Sequence, residues 1–127
     1  MKNKFVTIAA IQNSASFDLK VNLRKTAYLV ERAAKRGAKI ICLPELYRTI
    51  YFPQYKKVDK DSYAETIPGE STGVFSVLAK KYGVVIIVPV FEKRRTGYFN
   101  SAVVIDHIGK LLPTYDKIHI PQDPLFY

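Results

Sequence analysis

Two short apolar segments flank an amphipathic segment near the start of the chain, and this pattern restricts the fold more than any other feature. Residues 5–12 and 39–45 are rich in β-branched and apolar side chains, which predicts two buried strands. Between them, apolar residues recur at helical spacing from Asp18, a candidate N-cap, to Gly37, a candidate C-terminal stop. A strand–helix–strand unit with short links requires parallel pairing and a right-handed crossover. The sequence therefore predicts an α/β fold.

The later segments predict a second helix and three more strands. Residues 46–68 show no clean period and predict a long loop with one helical turn, of the kind that more often has a function than only a connecting role. Helical spacing between Gly69 and Gly83 predicts the second helix. Continuous or alternating apolar runs predict strands at residues 84–92, 98–106 and 111–119. The first of these runs is typical of a sheet covered on both faces.

Composition excludes several classes of protein. The 127 residues are 48% hydrophobic, which indicates one globular domain rather than a disordered chain. The net charge of +9 comes from basic residues spread along the chain without interleaved aromatics, so we predict no nucleic-acid partner. The apolar runs are too short for a membrane span or a secretory signal, which predicts a cytoplasmic protein with no membrane partner. One cysteine excludes an internal disulfide and disfavours a cysteine-based metal site, so no metal is predicted.

Glu45 is the first candidate for a chemical role. It follows an apolar strand in Leu43-Pro44-Glu45, and reactive groups of α/β sheets gather beyond the carboxyl ends of parallel strands. A half-buried carboxylate there is expected to have a raised pKa and could act as a general base. A cap or an ion-pair partner of one of the many lysines would fit the same position. Both interpretations stay open on the residues alone.

Lys117 is the second candidate and lies towards the end of the predicted last strand. A lysine held near a buried glutamate can stabilise an oxyanion, although on the residues alone a surface lysine is the favoured interpretation. Asp116 and Lys117 should point to opposite faces of the strand, so they do not form a simple local ion pair. His119 lies on the side of Lys117, and a structural hydrogen bond is expected for it.

Three further polar or reactive side chains are assigned structural roles. Cys42 lies inside an apolar strand, so we predict a buried small hydrophobe rather than a nucleophile. Glu92 ends the strand at residues 84–92, and Asn100 lies on the next strand. We expect both to be buried polar groups whose hydrogen bonds are satisfied by neighbours.

Several segments, in their order along the chain, resemble the nitrilase (carbon–nitrogen hydrolase) superfamily. They are Ala10-Ile11-Gln12, Ile40-Ile41-Cys42-Leu43-Pro44-Glu45-Leu46, Ile67-Pro68-Gly69, Phe91-Glu92, Tyr98-Phe99-Asn100-Ser101-Ala102 and Tyr115-Asp116-Lys117-Ile118-His119-Ile120-Pro121. The resemblance covers the whole chain. It implies an α–β–β–α sandwich, with residues 1–127 as the N-terminal part of a single, incomplete hydrolase domain.

The resemblance also implies a catalytic set of Glu, Lys and Cys. Glu45 falls on the family's base and Lys117 on its lysine, whereas Cys42 does not match the nucleophile. The family's cysteine and a supporting glutamate would lie beyond Tyr127, so the chain alone is expected to be inactive. The implied substrate is a small amide or ureido compound, with no metal or organic cofactor, and the implied assembly is a homo-oligomer.

Two stretches are similar to the N-carbamoylputrescine amidase branch of that family. One runs from Lys117 through His119-Ile120-Pro121 to Tyr127, and the other is Tyr51-Phe52-Pro53-Gln54. The branch implies an N-carbamoyl amine substrate and a role in polyamine biosynthesis. Tyr51 is predicted to be a substrate-binding wall of the pocket from its place in the loop after Glu45. One departure concerns Asp116, because the family usually has arginine before the lysine.

A non-catalytic function is the alternative. Without the family's second sheet, the predicted sheet would leave an apolar face uncovered, which would suit a half-domain that pairs with another chain. A basic binding module is the other form of this alternative.

Overall fold

The computed structural model describes residues 5–121 as one five-stranded sheet with two helices on one face. The strands are β1 (Ile8–Ala10), β2 (Ile40–Cys42), β3 (Val85–Arg94), β4 (Gly97–Ile105) and β5 (Tyr115–Asp116), and they lie side by side in this order. The helices are α1 (Leu19–Lys35) and α2 (Glu70–Tyr82), with 3-10 turns at Phe52–Gln54 and Lys60–Ser62. The first three strands pair in parallel and the last three in antiparallel fashion. The predicted α/β class and the parallel first pair are confirmed.

The helices begin and end close to the predicted positions. The Asp18 carboxylate accepts hydrogen bonds from the N–H groups of Lys20 and Val21, at 2.9 and 3.0 Å, and so caps α1. Gly37 follows α1 with a φ of 92°, and Gly83 ends α2 with a φ of 60°. Such angles favour glycine. Within residues 5–121, neither these helices nor the short turns are long and apolar enough to cross a membrane.

The hydrophobic core lies between the two helices and the sheet. Its fully buried side chains include Val30, Ile41, Phe75, Ile86, Val88, Val103 and Ile105. Burial alternates along β3 and β4, as expected for strands with one face against a core. The next side chains of that face, Glu92 and Ser101, are also buried. The helix-side face therefore ends in polar side chains where β3 and β4 approach their turn.

The opposite face of the sheet is only partly covered within residues 5–121. Ile8 is 73% exposed, and Cys42 is also exposed. The predictions of a buried strand at residues 5–12 and of a buried Cys42 are therefore wrong. β1 lies at the sheet edge, and both helices pack on the other face, so the apolar composition of these strands does not lead to burial here. The uncovered apolar face anticipated from the sequence is present.

The loop between β2 and α2 is anchored to the rest of the fold at its end. Glu65 exchanges backbone hydrogen bonds with β3, donating to Phe91 and accepting from Lys93 at 3.0 and 2.9 Å. Arg48 forms ion pairs with Glu65, at 3.3 Å, and with Glu70. The predicted loop is confirmed, with two 3-10 turns instead of one helical turn. Through Arg48, the part of the loop that follows β2 is tied to the part that precedes α2.

The last strand is much shorter than predicted. β5 contains two residues, and Leu111 forms only an isolated bridge with Ile105. Pro113 lies between the two contacts and lacks the N–H that a continuous ladder needs. His119 is exposed, and no hydrogen bond joins it to another residue of 5–121, so its predicted hydrogen bond is not found there. The predicted closing loop extends to residues 122–127, which lie outside the described part of the chain.

Replacement of Phe75 should reveal how much the core depends on helix packing. Phe75 is completely buried and meets the Tyr47 ring edge-on, with centroids 5.7 Å apart. Phe75→Ala should lower the free energy of unfolding by about 3–5 kcal/mol, measured by urea denaturation. The control is Val77→Ala on the same helix, where the side chain is 67% exposed. Equal losses in the two variants would contradict the assignment of the core.

Candidate active site

Glu45 lies at the centre of a small polar site at the carboxyl end of β2. Its Oε1 accepts hydrogen bonds from Lys117 Nζ at 3.1 Å and from Asn100 Nδ2 at 2.6 Å. The next residue, Leu46, has a φ of 54°, which is uncommon for a residue with a side chain. Backbone strain of this kind concentrates at functional sites. The chain thus turns sharply where Glu45 meets its partners.

Lys117 and Asn100 reach Glu45 from neighbouring strands. The N–H of Lys117 donates to the Asn100 carbonyl at 2.8 Å, which extends the pairing of β5 with β4. Asp116 points to the opposite face, where it contacts Arg94 and Ser101. The prediction that Asp116 and Lys117 face opposite sides is confirmed. Residues that are 72 positions apart in the chain therefore form the Glu45–Lys117 ion pair.

The electrostatics of Glu45 differ from the expectation. The Asn100 hydrogen bond and the Lys117 ammonium lower the pKa of Glu45 below its ordinary value of 4.5, and partial burial opposes them. The predicted raised pKa is wrong because the side chain is 50% exposed and has two donors on one oxygen. Glu45 is therefore ionised at neutral pH. Within residues 5–121 no hydrogen bond reaches its Oε2, so that oxygen can accept a proton.

A cavity of about 440 Å³ opens beside this ion pair. Its lining includes Glu45, Tyr51, Phe52, Lys60, Phe91, Tyr98, Asn100 and Lys117. Three of the rings pack in a row, with centroids 4.8 Å apart for Phe52 and Phe91 and 5.4 Å apart for Phe91 and Tyr98. A cavity of this size with apolar walls and a few polar groups suits a small organic molecule.

The site includes side chains to which the sequence assigned structural roles or none. Asn100 was expected to be a structural polar group, but it donates to Glu45. The signal that could have found it is the period of β4, which places Asn100 on the face opposite the buried Ser101. Glu92 does behave as predicted, because it is buried and accepts a hydrogen bond from Ser101 at 2.7 Å. Cys42 does not line the cavity, and residues 5–121 contain no acidic, histidine or cysteine cluster able to hold a metal.

Comparison with known proteins places this geometry in a family. The carbon–nitrogen hydrolase model matches residues 7–127. The chain belongs to the carbon–nitrogen hydrolase family. It is 40% identical over 124 residues to an N-carbamoylputrescine amidase from Solanum lycopersicum, across 97% of this chain and 41% of the relative. It is 38% identical over 104 residues to an omega-amidase from Xenopus laevis, across 78% of this chain and 35% of the relative.

A solved structure confirms the resemblance in the fold. The chain aligns with a carbon–nitrogen hydrolase from Helicobacter pylori at a TM-score of 0.83 and 34% identity. The alignment covers 92% of this chain and 41% of the solved one. The chain thus spans about two fifths of the length of the relatives it matches, and its mixed sheet corresponds to that part of the nitrilase-type sandwich.

Removal of the Asn100 donor should raise the pKa of Glu45. In Asn100→Ala the pKa should move towards 4.5, because the largest stabilising contact of the carboxylate is lost. A ¹³C NMR titration of the side-chain carboxyls measures it. Asp106 serves as an internal control, because backbone hydrogen bonds from its own turn lower its pKa and should persist. An unchanged Glu45 titration would contradict the hydrogen bond.

The same shift predicts a pH dependence of stability. Because folding lowers the pKa of Glu45, its contribution is present above the unfolded pKa and is lost as the pH falls through the folded value. Glu45→Gln should therefore flatten the stability profile below about pH 4.5. Urea denaturation of Glu45→Gln and of the unmodified chain over pH 3–7 measures this effect. Parallel profiles for Glu45→Gln and the unmodified chain would contradict it.

Proposed function

We propose that this chain supplies the base and the lysine of an enzyme that hydrolyses non-peptide C–N bonds of small amides or ureido compounds. The observation that carries the proposal is the contact of Lys117 Nζ with Glu45 Oε1 at 3.1 Å, beside a cavity of suitable size. Membership of the carbon–nitrogen hydrolase family supports the same reaction class. We further propose that residues 1–127 form the N-terminal part of a single hydrolase domain.

The proposed mechanism assigns one role to each polar side chain. Glu45 takes the proton of a cysteine thiol, and the thiolate attacks the carbon of the amide or ureido group. The Lys117 ammonium stabilises the negative oxygen of the tetrahedral intermediate. The leaving nitrogen takes the proton and departs as ammonia. Glu45 then activates a water that hydrolyses the thioester and regenerates the thiol.

The lowered pKa of Glu45 is compatible with this role once the open face is covered. An exposed carboxylate of low pKa is a weak base towards a thiol. Further chain packed over the partly exposed face would desolvate Glu45 and raise its pKa, which favours proton transfer. The ion pair itself, with side chains 38% and 50% exposed, adds little to stability. The ion pair places the Lys117 ammonium beside Glu45, the proposed base.

The substrate proposed is an N-carbamoyl amine such as N-carbamoylputrescine. Support comes from the 40% identity to the amidase of Solanum lycopersicum, and from Tyr51 in the wall of the cavity. Tyr51 is proposed to contact the substrate. The thiol is proposed to come from outside this sequence, because Cys42 is its only cysteine and does not line the cavity.

Family membership supports the hydrolase over the alternative of a basic binding module. Pairing of the open sheet face with further protein is compatible with both proposals, since the face is partly exposed within residues 5–121. A cytoplasmic location, a homo-oligomer, a role in polyamine biosynthesis and the absence of nucleic-acid and membrane partners stay predictions.

Substitutions in the longer enzyme that carries this sequence together with the family cysteine test the roles. Glu45→Gln and Lys117→Ala should each reduce ammonia release from N-carbamoylputrescine by about 10²–10⁴-fold, because each removes a group that acts in the transition state. The matched controls are Glu31→Gln and Lys35→Ala, an ion pair on α1 away from the cavity. Full activity in Glu45→Gln or Lys117→Ala would contradict the proposed roles.

The 127-residue chain alone should release no measurable ammonia from the same substrate, because loss of the nucleophile from such a set removes nearly all catalysis. A sensitive enzyme-coupled ammonia assay measures it, with Cys42→Ala as the matched variant. Release by the chain that disappears in Cys42→Ala would make Cys42 the nucleophile and would overturn the assignment.

A further inference from the structure

A cluster of charged side chains lies behind the site, on the helix-side face of the sheet. The Arg94 guanidinium donates to both carboxylate oxygens of Asp116, each at 2.7 Å, and to Glu92 Oε2 at 2.6 Å. The Ser101 hydroxyl lies 2.7 Å from Glu92 Oε2 and 3.0 Å from Asp116 Oδ1. We name these four residues the Arg94 cluster. Two carboxylates therefore share one guanidinium and one hydroxyl.

The cluster is joined to the site through the alternation of the strands. Ser101 and Asp116 pair across β4 and β5 and point to the helix side. Their neighbours Asn100 and Lys117 point to the other side and meet at Glu45 Oε1. Because Asp116 and Lys117 are adjacent in the chain, the backbone position of Asp116 determines where the Lys117 side chain begins. The two donors of Glu45 are each one residue away from a member of the cluster.

Within residues 5–121, few backbone hydrogen bonds hold β5 against its neighbour. It contains two residues, and its ladder with β4 is extended by the single bond from Lys117 N–H to the Asn100 carbonyl at 2.8 Å. So short a strand is weakly specified by its backbone hydrogen bonds. The bidentate Arg94–Asp116 pair adds a directional contact, because the planar guanidinium matches the two carboxylate oxygens in one orientation. Glu92 is 5% exposed, and its buried carboxylate holds the Arg94 guanidinium by a hydrogen bond.

We propose that Arg94 and Asp116 are positioning residues, whose bidentate pair, seated on Glu92 and Ser101, holds β5 in register so that the Lys117 ammonium reaches Glu45. The guanidinium that Asp116 contacts comes from β3, 22 residues earlier in the chain. The catalytic consequence rests on the proposed function, but the positioning of Lys117 does not.

Positioning of Lys117 and a direct electrostatic effect on Glu45 predict different changes in the pKa of Glu45. Arg94 is a cation and Asp116 an anion, so by charge alone their removal would move the Glu45 titration in opposite directions. If the pair positions Lys117, removal of either one releases the lysine, and the pKa of Glu45 rises in both cases. The other polar groups that line a cavity with Glu45 are Asn100 from β4, Lys60, and the Tyr51, Tyr98 and Tyr115 phenols. None of them is altered by the substitutions.

The experiment compares Arg94→Met, Asp116→Asn and Lys93→Met in the 127-residue chain. Lys93 is next to Arg94 on β3 but points to the other face, where it pairs with Asp61 at 2.9 Å. ¹³C NMR titration should show the Glu45 midpoint rising towards 4.5 in the first two variants. In Lys93→Met it should stay near that of the unmodified chain. Arg94→Lys should restore the midpoint only in part, since lysine lacks the bidentate geometry.

Three outcomes would overturn the proposal. In the first, the Glu45 midpoint moves in opposite directions in Arg94→Met and Asp116→Asn. In the second, the Glu45 midpoint is unchanged in both variants although urea denaturation shows that they are less stable. In the third, Lys93→Met shifts the Glu45 midpoint as much as they do. If Arg94→Met does not fold, the Glu45 midpoint of Asp116→Asn still tests the proposal. Asparagine has almost the same shape as aspartate, so this variant should fold. In the longer enzyme, Asp116→Asn should lower kcat by about 10- to 100-fold with little change in KM. If the Glu45 midpoint rises as expected in Asp116→Asn but kcat does not fall, the result contradicts the proposed function and leaves the positioning of Lys117 intact.

Discussion

The antiparallel pairing of β3 with β4 determines which face of the sheet each of their side chains occupies, and so places the Asn100 donor beside Glu45. It joins Phe91 to Asn100 and Val90 to Ser101, so residues of the two strands share faces in strict alternation. One face carries Glu92, Arg94 and Ser101 towards the helices. The other carries Phe91, Tyr98 and Asn100 towards the cavity. A slip of one residue would exchange the two sets and leave Glu45 without its amide donor.

The side chains of the site are brought together by the fold, and the contacts between them are individually weak. Glu45, Asn100 and Lys117 come from three separate strands or strand ends, and their contacts are half-exposed. Individual bonds of this kind contribute about 1 kcal/mol or less. Behind them lie the buried alternation of β3 and β4 and the Arg94 cluster, in which Glu92 and Ser101 are buried and the bidentate Arg94–Asp116 pair is partly exposed. The fold thus provides an orientation, and covering the open face would supply the desolvation that makes a carboxylate a better base.

The sequence predicted the elements well and the burial less well. The caps at Asp18 and Gly83 depend on local chemistry, and both are where the sequence places them. Cys42 and β1 were expected to be buried, but burial depends on which faces are covered, and composition does not contain that information. The raised pKa predicted for Glu45 was wrong for the same reason, together with an Asn100 contact that only tertiary pairing creates. The arginine partner of Asp116 is 22 residues away and could not be read from the motif around Lys117.

The proposed function requires Glu45 and Lys117 to flank the reacting carbon of a bound amide or ureido compound. The direct test is a crystal structure of a longer protein that carries this sequence and the proposed nucleophilic cysteine, with that cysteine replaced by alanine and an amide or ureido substrate bound. The substrate oxygen should lie about 3 Å from Lys117 Nζ, in the cavity lined by Tyr51 and Phe91. A substrate bound with its carbonyl beyond hydrogen-bond reach of Lys117, or in another cavity, would contradict it.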